Sequence, residues 1–165
     1  MRIRLFVTGG TFDKEYDEVR GALSFRETHV PRMLNLGRCR LDVATEVLLL
    51  KDSLDLTDAD RATIVAACRR CPEARIVITH GTDTMVETAR AIAAAVTDRT
   101  VVLTGAMIPF AFGSSDGLFN LGSALSFAQA LPAGVYVAMN GRCFAHDDVR
   151  KNRDLGVFEA IREAR

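Results

Sequence analysis

Five apolar runs punctuate the chain: "IRLFVT", "LDVATEVLLL", "ARIVITH", "TVVLTGAM" and "GVYVAMN". Each is short, rich in β-branched residues and apolar almost without a break, which is the pattern of strands covered on both faces. Between the later runs the period changes. "LTDADRATIVAACRRC" opens on Thr57 or Asp58 as a helix cap. "DTMVETARAIAAAV" sets Met85, Val86, Ala89, Ile92, Ala93 and Val96 at helical spacing. "DGLFNLGSALSFAQAL" repeats that pattern and stops before Pro132 and Gly134, and "GVFEAIREAR" predicts a terminal helix. Strand and helix in alternation predict an α/β fold of three layers. A largely parallel sheet carries helices on both faces, in the Rossmann/flavodoxin-like manner, within a single domain.

In an open parallel sheet, ligands bind beyond the carboxyl ends of the strands. The polar residues gather there. "TGGTFDKEYDE" follows the first run, "KDSLD" the second, "HGTDT" the third, "TGAMIPF" the fourth and "NGRCFAHDDVRKN" the fifth. Thr11, Tyr16, Ser53, Thr82, Asp83 and Lys151 are therefore expected along one edge of the sheet.

Composition narrows the partners. The 165 residues are 48% hydrophobic and 25% charged, as in a soluble globular protein. Lys plus Arg number 21 and Asp plus Glu 21, so the formal charge is zero, which argues against nucleic acid as the main partner. No apolar run nears the roughly 18 residues of a membrane helix, so no membrane partner is expected. "MRIRLFVTGG" has too short an apolar run for a secretory signal and reads as a first strand, which predicts a cytoplasmic protein. Of four cysteines, Cys68 and Cys71 form a C-x-x-C. A zinc site needs a second pair, and a redox dithiol opens a helix after a strand. Here Pro72 follows, so the pair closes a helix and reads as structural rather than as a metal or redox site.

"TGGT" is Gly-rich, yet the P-loop and dinucleotide patterns are both absent. Its glycines can bring backbone N–H groups close to a ligand, and Thr11 would stand on that turn; a turn Thr bonding its own backbone is the plainer reading. "HGTDT" carries more than a connector needs. Thr82 is a potential nucleophile or water-orienting hydroxyl, Asp83 can bind an ammonium group, Thr84 suits a cap, and His80 suits fixing the turn. A Thr hydroxyl needs a base, for which Lys151 is the first candidate and Tyr16 the second.

Together these motifs resemble the bacterial-type L-asparaginase family, which includes asparaginase-glutaminases. "TGGTF" and "HGTDTMVETA" match its two signatures, and "TGAMIPFAFGSSDGLFNL" and "GVYVAMNGRCFAHDDVRKN" match later segments in the same order. The resemblance implies hydrolysis of L-asparagine to aspartate and ammonia through an acyl-enzyme, without a cofactor. It implies that Thr11 is the nucleophile, assisted by Tyr16 from a mobile loop. Lys151 would support Thr82, which activates the attacking group or water, and Asp83 would grip the substrate's amino group. Ser53 would hold the α-carboxylate, with Gly10 and Ala106 on the substrate-binding turns and backbone N–H groups there stabilising the oxyanion.

The chain departs from the family at several points. Residues 1–165 correspond to the N-terminal catalytic domain, and the family's smaller C-terminal domain is expected to be absent. With it goes an acidic residue from a neighbouring subunit, for which Glu15, Asp17 and Glu18 are the nearest candidates. Leu54 follows Ser53 where many members are polar, and Ile108 stands where Arg is frequent. The alternatives are a glutaminase, the ammonia-generating subunit of a tRNA-dependent amidotransferase, and a non-catalytic amino-acid-binding protein. The apolar Ile108, Phe110, Phe112 and Leu118 predict a homo-oligomer, most simply a dimer.

Overall fold

All five apolar runs become strands of one sheet in the computed structural model, which describes residues 1–162. In chain order the elements begin with β1 (Arg2–Gly9), a hairpin of β2 (Lys14–Asp17) and β3 (Ala22–Phe25), α1 (Val30–Leu36) and β4 (Asp42–Lys51). Next come α2 (Asp58–Arg70), β5 (Arg75–Thr79), α3 (Met85–Ala93), β6 (Thr100–Thr104) and α4 (Gly117–Ala130). The last four are β7 (Gly134–Met139), β8 (Arg142–Ala145), β9 (Arg150–Asn152) and β10 (Val157–Glu159). The sheet order is β4-β1-β5-β6-β7-β8, parallel throughout except for the antiparallel edge pair β7–β8.

Strand alternation sorts the side chains into two cores. Ile3, Leu5 and Val7 of β1, with Val77 and Val102, pack under α1 and α4. Phe6, Ile76, Ile78, Val101 and Leu103 pack under α2 and α3. Helices therefore cover both faces, as the alternating pattern predicts. Thr57 caps α2 through a reciprocal capping box with Asp60.

The expected terminal helix is not what forms. Val157–Glu159 is a strand, antiparallel to β9, with Phe158 opposite Lys151. Phe158 is buried in the second of these cores alongside Val149, and that burial outweighs the helical spacing. Residues 163–165 of the same prediction lie outside the described residues.

The amino ends of the strands are polar as well. Glu73 accepts two hydrogen bonds from Arg4, each 3.1 Å, and one from the Cys71 thiol at 3.0 Å. The C-x-x-C pair closes α2 as expected: Arg99 donates to the carbonyl of Cys68 at 3.1 Å and also to that of Cys71. Burial pushes the Cys68 thiol up to about 12 and raises Cys71 as well, so neither is a ready nucleophile.

Candidate active site

Glycines let the strand-end turns approach at backbone contact. Gly9 and Gly10 follow β1 with φ of 95° and 77°, a conformation in which a side chain is strained. Gly10 donates its N–H to Lys51 O across 2.8 Å, and a methyl group on it would land on the His80–Gly81 backbone. A methyl group on Gly81 would in turn sit 2.6 Å from Ser53 Oγ. Gly105 lies the same way against Thr82, whose Cγ2 a Cβ would meet at 3.3 Å. The turns bearing Thr11, Ser53, Thr82 and the buried Ala106 are thus locked side by side.

The "HGTDT" turn is built from inside. His80 is wholly buried. Its Nδ1 lies 2.7 Å from Gly81 O and its Nε2 2.9 Å from Thr88 Oγ1. A carbonyl only accepts, so Nδ1 carries the proton and Nε2 accepts from the Thr88 hydroxyl. Burial lowers the imidazole pKa to about 4, which keeps it neutral. His80 therefore fixes the turn, as its sequence context suggests. Thr84 occupies the N-cap position of α3, but its hydroxyl does not cap; it donates to Ser53 O at 2.8 Å and stitches two turns together.

Lys151 arrives from β9, far along the chain. Its Nζ donates to Thr82 Oγ1 at 2.8 Å and to Asp83 Oδ1 at 2.8 Å. The ammonium side chain is only 10% exposed, while Asp83 keeps a third of its surface open. Asp83 Oδ2 makes no hydrogen bond among the described residues, so it remains free to accept one. Lys151 reaches this position because its pair partner Phe158 anchors the β9–β10 ribbon in the core.

The other expected residues are placed less uniformly. Ser53 is buried and its Oγ has no hydrogen-bond partner among the described residues. Thr11 is half-buried on a 3₁₀ turn, Thr11–Asp13, and its hydroxyl makes no hydrogen bond among the described residues. Tyr16 is exposed on β2, and among the described residues no hydrogen bond joins its hydroxyl to the cluster. Alternation does place Tyr16 on the same side of β2 as Lys14, which pairs with Asp52 next to Ser53.

Two residues of the cluster's frame escape a reading of motifs. Asp116 accepts from the N–H groups of Met107 and Ile108 at 3.0 and 3.1 Å, and from Asn120 Nδ2 at 2.9 Å. Asn120, fully buried, donates to Gly105 O at 2.8 Å and accepts from Asn140 N at 2.9 Å. This pair ties the turns after β6 and β7 to α4. Its signal was an Asp at the helix N-cap position and an Asn four residues on, at the start of α4. A groove of about 650 Å³ between α1 and α4, lined by Met33, Leu118, Leu121 and Leu125, contains none of the cluster residues.

Among the described residues, no group of three or more His, Cys, Asp and Glu side chains is placed to hold a metal ion. Among them, too, no helix is long and apolar enough to cross a membrane. The cluster around Thr82 brings hydroxyls, the Asp83 carboxylate and the Lys151 ammonium together.

The family model described as "Asparaginase, N-terminal" matches residues 2–163. The chain belongs to the asparaginase family. An L-asparaginase from Thermococcus kodakarensis is 32% identical over 98% of this chain and 51% of its own. Its solved structure superposes with a TM-score of 0.86 over the same shares. A probable cytoplasmic L-asparaginase from Campylobacter jejuni is 29% identical, with a TM-score of 0.81 over 96% of this chain and 52% of that one. A glutamyl-tRNA(Gln) amidotransferase component from Methanococcus vannielii is 32% identical over 90% of this chain and 37% of its own length. The chain thus spans about half or less of the length of these relatives, whose names include both asparaginases and an amidotransferase.

Proposed function

We propose that this chain is an amidohydrolase that releases ammonia from L-asparagine through a Thr nucleophile. The observation that carries the reading is Lys151 Nζ within 2.8 Å of both Thr82 Oγ1 and Asp83 Oδ1, in a nearly closed setting. A hydroxyl, a carboxylate and a shielded amine in mutual contact form a proton relay, and binding alone does not call for one.

In this reading Thr11 Oγ1 attacks the side-chain amide carbon, its proton leaves with ammonia, and an acyl-enzyme remains. Thr82 Oγ1, held by the Lys151 ammonium, orients the incoming water. The water oxygen bonds to the ester carbon, the bond to Thr11 Oγ1 breaks, and the water's proton passes through Thr82 to Thr11 Oγ1. This restores the hydroxyl and releases the acid, while Asp83 Oδ1 keeps Lys151 in place. The free Asp83 Oδ2 takes the substrate's amino group, and the unpartnered Ser53 Oγ takes its carboxylate. Gly10 N–H is committed to Lys51 O, so other backbone N–H groups of the turns bearing Thr11 and Ala106 would be the donors to the oxyanion. Tyr16 joins from the hairpin when substrate is bound.

Residues 1–165 would serve as the catalytic domain, in the cytoplasm, where the four free thiols are at home. Ile108, Phe112 and Leu118 are exposed beside the site, and a second copy of the chain would cover them. The relatives with other substrates keep glutamine hydrolysis as the second reading. Ammonia release from asparagine and from glutamine, with Thr11→Ala as control, tests both. Turnover that survives in the control removes the nucleophile assignment, and absence of turnover on either amide leaves the amino-acid-binding alternative.

A further inference from the structure

Next to Ser53 the structure holds a carboxylate where an anionic ligand group is to bind. Asp52 accepts from Leu54 N at 3.1 Å and is 28% exposed, so its charge lies at the mouth of the Ser53 turn. Ser53 Oγ itself is buried and unpartnered among the described residues, pressed against Gly81. A donor left open in this way suits a carboxylate, but a bare Asp52 beside it would repel one.

The Asp52 charge is not bare. Lys14, on β2 and 18% exposed, places its ammonium directly on Asp52 Oδ2. Burial works against an ionised Asp52, yet the Lys14 ammonium and the Leu54 amide hold its carboxyl below the ordinary value. The pair is therefore a full ion pair. The cation of the relay, Lys151, is already committed to Asp83. Lys51, at the end of β4, is committed to Asp60. This leaves Lys14 as the cation bonded to the carboxylate beside Ser53.

We infer that Lys14 is a positioning residue for substrate: by cancelling the Asp52 charge it makes the Ser53 pocket accept the carboxylate of an α-amino acid amide. The inference rests on the amidohydrolase reading and adds a residue that the matching motifs do not include. Lys14 touches no reacting atom. Its loss should therefore weaken substrate and product binding and leave the chemical step nearly intact.

The test is a charge cycle. Lys14→Met should raise KM for asparagine about tenfold or more, with kcat within about threefold, because a like charge is left near the bound carboxylate. L-Aspartate binding, measured by calorimetry without turnover, should weaken by the same factor. Lys14→Arg should retain wild-type KM. Adding Asp52→Asn to Lys14→Met removes the stranded charge and should restore KM to within about threefold of wild type. Lys14→Gln serves in place of Lys14→Met if circular dichroism shows the latter misfolded. A KM within a factor of two of wild type in the single variant overturns the inference, as does a double variant no better than the single. Wild-type protein that neither hydrolyses asparagine nor binds aspartate overturns the amidohydrolase reading and this inference with it, an outcome distinct from the previous two.

Discussion

The two ends of the central sheet are both polar, yet they differ in how their hydrogen bonds are used. At the amino ends, Glu73, Arg4, Cys71, Arg99, Arg75 and Thr100 satisfy one another or backbone carbonyls. At the carboxyl ends lie the buried side-chain atoms that make no hydrogen bond among the described residues: in Asp13, Ser24, Ser53, Arg61 and Thr79, and in His29, whose Nε2 meets only the Glu15 carboxylate, at 3.2 Å. Each belongs to a connection leaving a strand's carboxyl end, or to that strand's last residue or the next helix's first turns. A buried polar atom without a partner costs about 1–3 kcal/mol, so a cluster of them marks where stability yields to another requirement. Polar clustering alone therefore does not find the site. The open hydrogen-bonding capacity of Ser53 and Thr11, beside a paired Lys151, is what supports the proposed site.

The sharpest way to break this comparison is to remove hydroxyls at the open end. Thr11→Val or Thr82→Val should lower ammonia release by at least about a hundredfold, while urea unfolding changes little. A folded Thr11→Val protein with near-normal turnover would remove the distinction between the ends.

pH separates them next. His80 has its folded pKa lowered to about 4 from 6.5, so its contribution is present above pH 6.5 and is lost as pH falls towards 4. Urea denaturation should show stability falling by about 2 kcal/mol between pH 7 and 4.5. Glu73 is lowered from 4.5, chiefly by its bond from Cys71, so its contribution is lost only below pH 4.5. Loss confined below pH 4.5 would mean that His80 is not held neutral.

At the closed end, Glu73→Ala strands Arg4 and the Cys71 thiol, and should destabilise by about 1–2 kcal/mol, discounted because Arg4 is partly exposed. kcat should stay within a factor of two. A larger loss of activity than of stability would show that the ends communicate. The smallest expected effect concerns selectivity. Leu54, apolar and exposed beside Ser53, favours the shorter amide, so kcat/KM for asparagine should exceed that for glutamine by about tenfold, the scale of one methylene in a specific pocket. Equal specificity constants would remove Leu54 from the account.

Much of this architecture was legible in the pattern of side chains. The five central strands and α2, α3 and α4 declared themselves because each is long or uniformly apolar enough to carry its own period. "KEYD" and "ALSF" did not, being four-residue strands of mixed polarity whose pairing shows only in the fold. β8 lay hidden in a polar stretch even though Asn140-Gly141, both at positive φ, is a strong hairpin dipeptide. The terminal segment misled because its spacing is helical, whereas Phe158 is decided by burial in the core. At the site, Thr82, Asp83 and Lys151 were recognisable by type and motif, but Lys14, Asp52, Asp116 and Asn120 were not. Charged and amide residues in loops are usually solvated, and only the fold shows which ones meet.

The β9–β10 ribbon carries a consequence for how the protein acquires its chemistry over time. Lys151 and Thr82 are 69 residues apart, so their contact closes one of the longer loops in the chain. The relay is therefore expected to assemble only once the last strands have docked Phe158. During refolding, helical ellipticity should recover before ammonia release does, and the interval between the two signals times the arrival of a single lysine.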